Sequence, residues 1–233
     1  MGIPEHYSRE IARRCQSLIQ HLLPQVEAGL PDDRYFGGPL RTTFLLAMAT
    51  PMILLPMERI LKPTIGVKVA GDEREKDNRL AALINDTFAA NKSFGKSPFA
   101  GDGDWRYVQN HPLFNTAREW PSKLLRTLNS PEAAKAAMAA STRTIVSNLR
   151  NALAHGGIAY LDKNGRQIEG EAAMFAFTSF KTEKGKPVGL NIIRVNEHTF
   201  CNFLSSWTVW LKKSGITHSL NRVADPPHQA PAA

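Results

Sequence analysis

The run Asn148-Leu149-Arg150-Asn151-Ala152-Leu153-Ala154-His155-Gly156-Gly157 sets an arginine, an asparagine and a histidine among residues that otherwise suit packing. Imidazole titrates near neutrality and moves protons in either direction, which makes His155 a candidate general acid or base. A guanidinium offers paired donors in a fixed fork that matches phosphate oxygens, so Arg150 is a candidate for holding a phosphate and stabilising charge that builds on it. Asn151 can orient either group by hydrogen bonding. Spacing alone does not single this stretch out. Arg-x4-His recurs at Arg106 to His111, ahead of Pro112, and the looser Arg-x6-His occurs at Arg14 to His21. What differs at Arg150 is the setting: a strong helix signal, Asn directly after Arg, and Gly-Gly directly after His. A purely structural reading competes, in which His155 satisfies terminal helix carbonyls and Arg150 is a solvated charge.

The element that must position these residues begins at Ser130-Pro131-Glu132, an N-cap followed by proline at the first helical position and an acid in the first turn. One helix is predicted from there to His155, stopped by Gly156, with Ile145, Leu149 and Leu153 on its core stripe. Upstream, apolar spacing predicts an amphipathic helix over 8–27. A second helix is expected over about 40–61, carrying Pro51 and Pro56, whose freed carbonyls need other partners. A third is expected over 72–90. Residues 93–112 read as a long loop in which Trp105, Arg106 and Tyr107 suit pinning to the core better than stacking on a base. A short helix is expected over 117–127. Past Gly157 the period falls to two, and GIAYLD, AAMFAFTSF and VGLNIIRV, separated by turns at 163–165 and 183–186, predict an antiparallel meander. Asn196 would cap a last helix burying Phe200, Phe203, Leu204, Trp207 and Leu211. The expectation is one mainly α domain over 1–220, an up-and-down helical bundle with a β insertion at about 158–195 before its last helix. The Pro- and Ala-rich residues 221–233 are expected to form a disordered tail.

Composition excludes several classes. With 233 residues, 42% hydrophobic and 21% charged, the chain can bury a core, and neither disorder nor a fibre fits. Cys15 and Cys201 stand far apart on core faces, so packing suits them better than disulfide, zinc or nucleophile roles. The apolar run Phe44–Met57 has 14 residues, short of the roughly 20 that cross a bilayer, so no membrane association is expected. The first residues, MGIPEHYSREIARR, carry charges where a signal peptide needs an apolar run, and His6 breaks the myristoylation pattern, so no targeting signal is expected, while the two separated cysteines make a reducing cytoplasm the expected location. There is no P-loop, no GxGxxG after a strand, no HExxH and no Gly-x-Ser-x-Gly, and no cofactor or metal is expected. A net charge of +8 and a pI near 9.7 favour an acidic partner such as nucleic acid. Between Ala117 and Gly157, Arg118, Lys123, Arg126, Lys135, Arg143 and Arg150 face only Glu119 and Glu132, so a basic face is expected there.

Arg150-Asn151-Ala152-Leu153-Ala154-His155 resembles the Arg-x4-6-His motif of the HEPN superfamily, which lies near the end of a helix in a small helical bundle. The segment Ala49–Ile60 also resembles one in the pEK499-type group of that superfamily. The resemblance spans roughly 20–200. It implies a metal-independent endoribonuclease in bacterial defence or a toxin-antitoxin pair, with RNA as substrate and an antitoxin or defence-system partner. It also implies Arg150, Asn151 and His155 as site residues, and a supporting Glu58 that orients Arg150 or His155. On a regular helix Arg150 and His155 lie about 140° apart, so one chain converges them poorly. Two helix ends meeting across a two-fold axis would bring them together, and a homodimer is expected. The competing expectations are a non-catalytic RNA-binding or protein-interaction module and a purely structural bundle.

Overall fold

The structure, a computed structural model, describes residues 7–30, 33–35, 40–62, 78–169 and 172–213. The expected tail at 221–233 and the start of the expected third helix, 72–77, lie outside the described residues. Helix α1 (Tyr7–Glu27) buries Ala12, Cys15, Ile19 and Val26 and packs on α2 (Arg41–Pro56). Without a break, α2 runs on into a π-helical segment, Met57–Leu61. Proline at 56 removes the N–H that would bond the Met52 carbonyl. That carbonyl accepts instead from the indole Nε1 of Trp207, at 2.9 Å, so the proline ties α2 to the last helix. By length and composition the 21 residues Arg41–Leu61 could cross a membrane, and half of that stretch is buried inside the fold. Leu45, Ala49, Met52, Ile53 and Ile60 are core residues.

Helix α3 (Asn78–Thr87) leads into residues 93–112, which are not the loop that their Gly and Pro content predicts. They form a short 3-10 turn (Phe94–Lys96) and then strand β1 (Arg106–His111). Trp105 and Tyr107 are buried, and Trp105 donates from Nε1 to the Ala100 carbonyl at 3.1 Å, so these residues do pin the segment to the core. The short helix α4 covers Ser122–Leu128, starting later than the 117–127 expected. The long helix predicted from Ser130 is two helices, α5 (Pro131–Ala139) and α6 (Thr142–His155). Ser130 caps α5 as expected, but Ala140 is extended and Ser141 caps a new start, its side chain accepting from the N–H of Thr144 at 3.0 Å. Segment 92–94 compensates the break, with Phe94 N–H on the Ala140 carbonyl (2.7 Å) and Thr142 N–H on the Lys92 carbonyl (3.0 Å).

Strands β2 (Ile158–Leu161), β3 (Met174–Glu183) and β4 (Lys186–Asn196) form the expected meander, and β1 adds a fourth strand beside β4. The order is β1-β4-β3-β2, antiparallel throughout. Asn196 caps α7 (Glu197–Lys213), its Oδ1 accepting from the Thr199 N–H at 2.7 Å. The fold is therefore mixed, seven helices with a four-stranded sheet among the described residues, and not the mainly α bundle expected. Strand alternation explains why the sheet is so well covered. Phe175, Phe177, Ile193 and Val195 join the main core with α2, α6 and α7, while Ala176, Leu190 and Ile192 pack on a second core of Trp120, Leu124 and Leu128.

Candidate functional site

Helix α6 carries the residues of interest and is fixed from beneath. Asn148, 6% exposed, accepts from the Ser179 hydroxyl on β3 at 2.7 Å and donates to the Tyr107 hydroxyl on β1 at 3.4 Å. Burial pushes the Tyr107 phenol up, with the Asn148 bond acting against it. At the helix end Gly156 takes the left-handed conformation, φ +70°, and its N–H caps the Ala152 carbonyl. Gly157 then lets β3 approach: a Cβ there would lie 2.2 Å from the Thr178 carbonyl oxygen. The end of α6 is thus seated on the sheet rather than left to fray.

Arg143, Ser147, Arg150 and Asn151, spaced by four, three and one, lie on the side of α6 that faces the π-helical segment. With Met57, Leu61 and Lys62 they line a pocket of about 190 Å³. Glu58 stands beside it. One of its carboxylate oxygens accepts from Nη2 of Arg150 and the other pairs with Lys62. Arg150 also donates from Nη1 to Oδ1 of the adjacent Asn151 at 2.8 Å. Its Nε is buried without a partner, as is the Nε of Arg143. Burial lowers the Arg150 pKa from its usual value. Arg150 and Lys62 thus both pair with the Glu58 carboxylate, while Arg143 lines the adjoining pocket without pairing with it.

The candidates from sequence separate into those brought together and one that is not. Glu58, Arg150 and Asn151 form one hydrogen-bonded group, joining segments 92 residues apart. His155 does not line that pocket. It lies one turn beyond Asn151, exposed, with its side chain making no hydrogen bond to a described residue. A single chain therefore holds the arginine and presents the histidine, but does not face one with the other. Sequence reading did not assign Lys62, Arg143 and Ser147 to this site. The period of Arg143, Ser147 and Arg150 was a usable signal.

A family model described as HEPN pEK499 p136 matches residues 1–218. The chain belongs to that family. No curated protein and no solved structure matches it. The HEPN assignment fits an Arg-x4-His motif at the end of a helix and suggests a nuclease-like or RNA-related module. The two other Arg-x-His spacings sit in different surroundings. Arg106 is held by Asp104 (2.6 Å) and the Ser130 carbonyl (2.9 Å), and His111 bonds the adjacent Pro112 carbonyl at 2.8 Å, both on β1 and not in a loop. Arg14 is paired with Glu10 on α1. Cys15 and Cys201 are free thiols; burial raises the pKa of Cys15, and burial followed by Glu197 pushes Cys201 to about 11, so neither is an activated nucleophile.

Proposed function

We propose that this HEPN protein is a metal-independent endoribonuclease acting as a homodimer in the cytoplasm, in bacterial defence or as a toxin with a cognate antitoxin. The observation that carries the reading is Arg150, oriented by Glu58 and Asn151 on a rigid helix whose last residue is an exposed, unengaged histidine. RNA supplies its own nucleophile. His155 takes the proton of the 2′-hydroxyl, the 2′-oxygen attacks the adjacent phosphorus, and the bond to the 5′-oxygen breaks as that oxygen gains a proton from a second His155. Arg150 binds the non-bridging oxygens and stabilises the charge of the phosphorane. The products are a 2′,3′-cyclic phosphate and a 5′-hydroxyl. Two protomers related by a two-fold axis supply both histidines and place Arg150 opposite them, which one chain does not do.

A second reading is favoured by one detail: Glu58 and Asn151 already engage two nitrogens of Arg150, as in a site that recognises RNA without cutting it. Rates separate the two readings. A nuclease cuts RNA in EDTA, and Arg150→Ala or His155→Ala lowers the rate far more than it weakens binding, for the proton-transfer residue by roughly 10²- to 10⁴-fold. A binding module shows no cleavage to lose. Sedimentation at micromolar concentration should report a dimer, and a monomer that cuts RNA would refute the composite site.

A further inference from the structure

Segment 117–129 and the turn at 163–169 face each other across an open groove of about 1430 Å³. That is larger than the roughly 300–1,000 Å³ of a small-molecule pocket, and an extended ligand suits it better. Its walls carry Arg118, Arg126, Lys163 and Arg166, all exposed and none ion-paired with a described residue. Two carboxylates, Glu119 and Glu169, share the groove and leave a surplus of two positive charges. Asp162, at the start of the turn, accepts from the backbone N–H groups of Asn164 (2.8 Å) and Arg166 (2.9 Å), and its charge also acts on the Arg166 guanidinium.

Beneath the groove lies a buried cation. Arg194 is 3% exposed, donates to Asn129 Oδ1 (2.6 Å) and the Leu128 carbonyl (3.1 Å), and keeps its Nε without a partner. Gly165, buried between the wall residues Asn164 and Arg166, rests directly on it, since a Cβ there would come within 2.8 Å of Nη1. The acid whose charge acts on Arg194 is Asp104, already bonded to Arg106, and the charge of Arg106 acts against it. Burial lowers the Arg194 pKa, the charge of Asp104 opposing it. A poorly compensated buried charge adds to the positive potential above it.

The walls are also fixed to each other. Gln167 reaches across to the Thr116 carbonyl at 3.1 Å, and Trp120, 3% exposed, donates to the same carbonyl at 3.1 Å. With its indole buried, Trp120 offers no stacking face, so the groove presents charge and amides and not a base-reading surface. Lys163 follows His155 by eight residues, at most about 26 Å of extended chain, so one strand can reach both.

We propose that this groove binds the phosphate backbone of single-stranded RNA, as a sequence-tolerant contact separate from the Arg150 pocket. The inference rests on the proposed function only in taking RNA as the polyanion. A fluorescent 12-residue oligouridine with 2′-O-methyl sugars, which cannot be cleaved by 2′-attack, is titrated with the full chain by anisotropy at several salt concentrations. The doubles Arg118→Ala/Arg126→Ala and Lys163→Ala/Arg166→Ala should each weaken binding at least 10-fold, and lower the slope of log affinity against log salt by about 1.4, at about 0.7 per lost phosphate contact. Glu119→Gln should tighten binding, an effect that loss of folding cannot imitate. Lys135→Ala, an exposed cation outside the groove, is the control. Groove doubles that bind within two-fold of the parent, or lose no more than Lys135→Ala, overturn the proposal, as does a parent that fails to bind the oligonucleotide. Cleavage of unmodified RNA is scored separately. A parent that binds through the groove but never cuts sinks the nuclease reading and leaves the groove; one that cuts with a groove indifferent to charge does the reverse.

Discussion

Substituting alanine at the two glycines after His155 tests how the site is seated, and the expected order reverses the usual one. Gly156 is the left-handed cap, φ +70°, and a Cβ there meets nothing within 4 Å. Gly156→Ala should cost only the left-handed penalty, about 1–2 kcal/mol. Gly157 has no positive-φ requirement, but its Cβ would sit 2.2 Å from the Thr178 carbonyl oxygen. Relief needs a retreat of about 1 Å by β3, set against ordinary contact distances for carbon. That movement pulls on two bonds to the Gly157 carbonyl, from the Thr178 N–H at 2.6 Å and the Thr178 hydroxyl at 3.1 Å. Two weakened hydrogen bonds at about 0.5–1.5 kcal/mol each, with about 1–3 kcal/mol of overpacking, give about 2–6 kcal/mol for Gly157→Ala. Urea unfolding, analysed with a common slope, gives both differences. If Gly156→Ala costs as much as Gly157→Ala, the close approach of β3 does not seat the helix end.

Glu58→Gln keeps the shape beside Arg150 but removes the charge that holds it, so RNA turnover should fall roughly 10- to 100-fold while RNA affinity holds or rises; equal losses in both would contradict a positioning role. Arg150→Lys keeps a charge without the fork, and should restore binding better than turnover when each is compared with Arg150→Ala. Ser141→Ala removes the cap between α5 and α6 and should cost about 1 kcal/mol in urea unfolding, an effect absent if residues 131–155 were one continuous helix. The Cys201 thiol, pushed up to about 11, keeps its proton in the folded chain after the unfolded chain has lost its own near 9. Cys201 should therefore lower stability as pH rises from about 9 to 11, and Cys201→Ala should flatten that part of the curve.

The sequence revealed what local chemistry sets. The cap at Ser130-Pro131-Glu132, the glycine stop at Gly156 and the period-two run after it all depend on near neighbours, and each stands where its residues indicate. The break at Ser141 was hidden because Ala139 and Ala140 favour helix; two bonds from segment 92–94 outweigh that preference. Strand β1 was hidden for a similar reason. Its partner β4 is distant in sequence, Arg106 pairing with Arg194 and His111 with Leu190, Asn110 has φ +56°, and the register shifts between Val108 and His111, so no clean alternation survives. At the site, Arg150, Asn151 and His155 stood out by type and setting. Lys62 did not, because the π-helical segment after Pro56 shifts which residues face α6 and no simple period carries through it, whereas Arg143 and Ser147 share a regular helix face with Arg150 and only their period marks them.

The end groups of the cut RNA test the central claim most directly. An oligonucleotide with one ribose in a deoxy background is incubated with the protein in EDTA, and its fragments are weighed by mass spectrometry. Attack by the 2′-oxygen predicts one cut, directly after the ribose, leaving a 2′,3′-cyclic phosphate and a 5′-hydroxyl, abolished by 2′-O-methylation and nearly lost in folded His155→Ala. Cuts at deoxy positions, 5′-phosphate ends, or a His155→Ala protein that cuts as fast as the parent would contradict it.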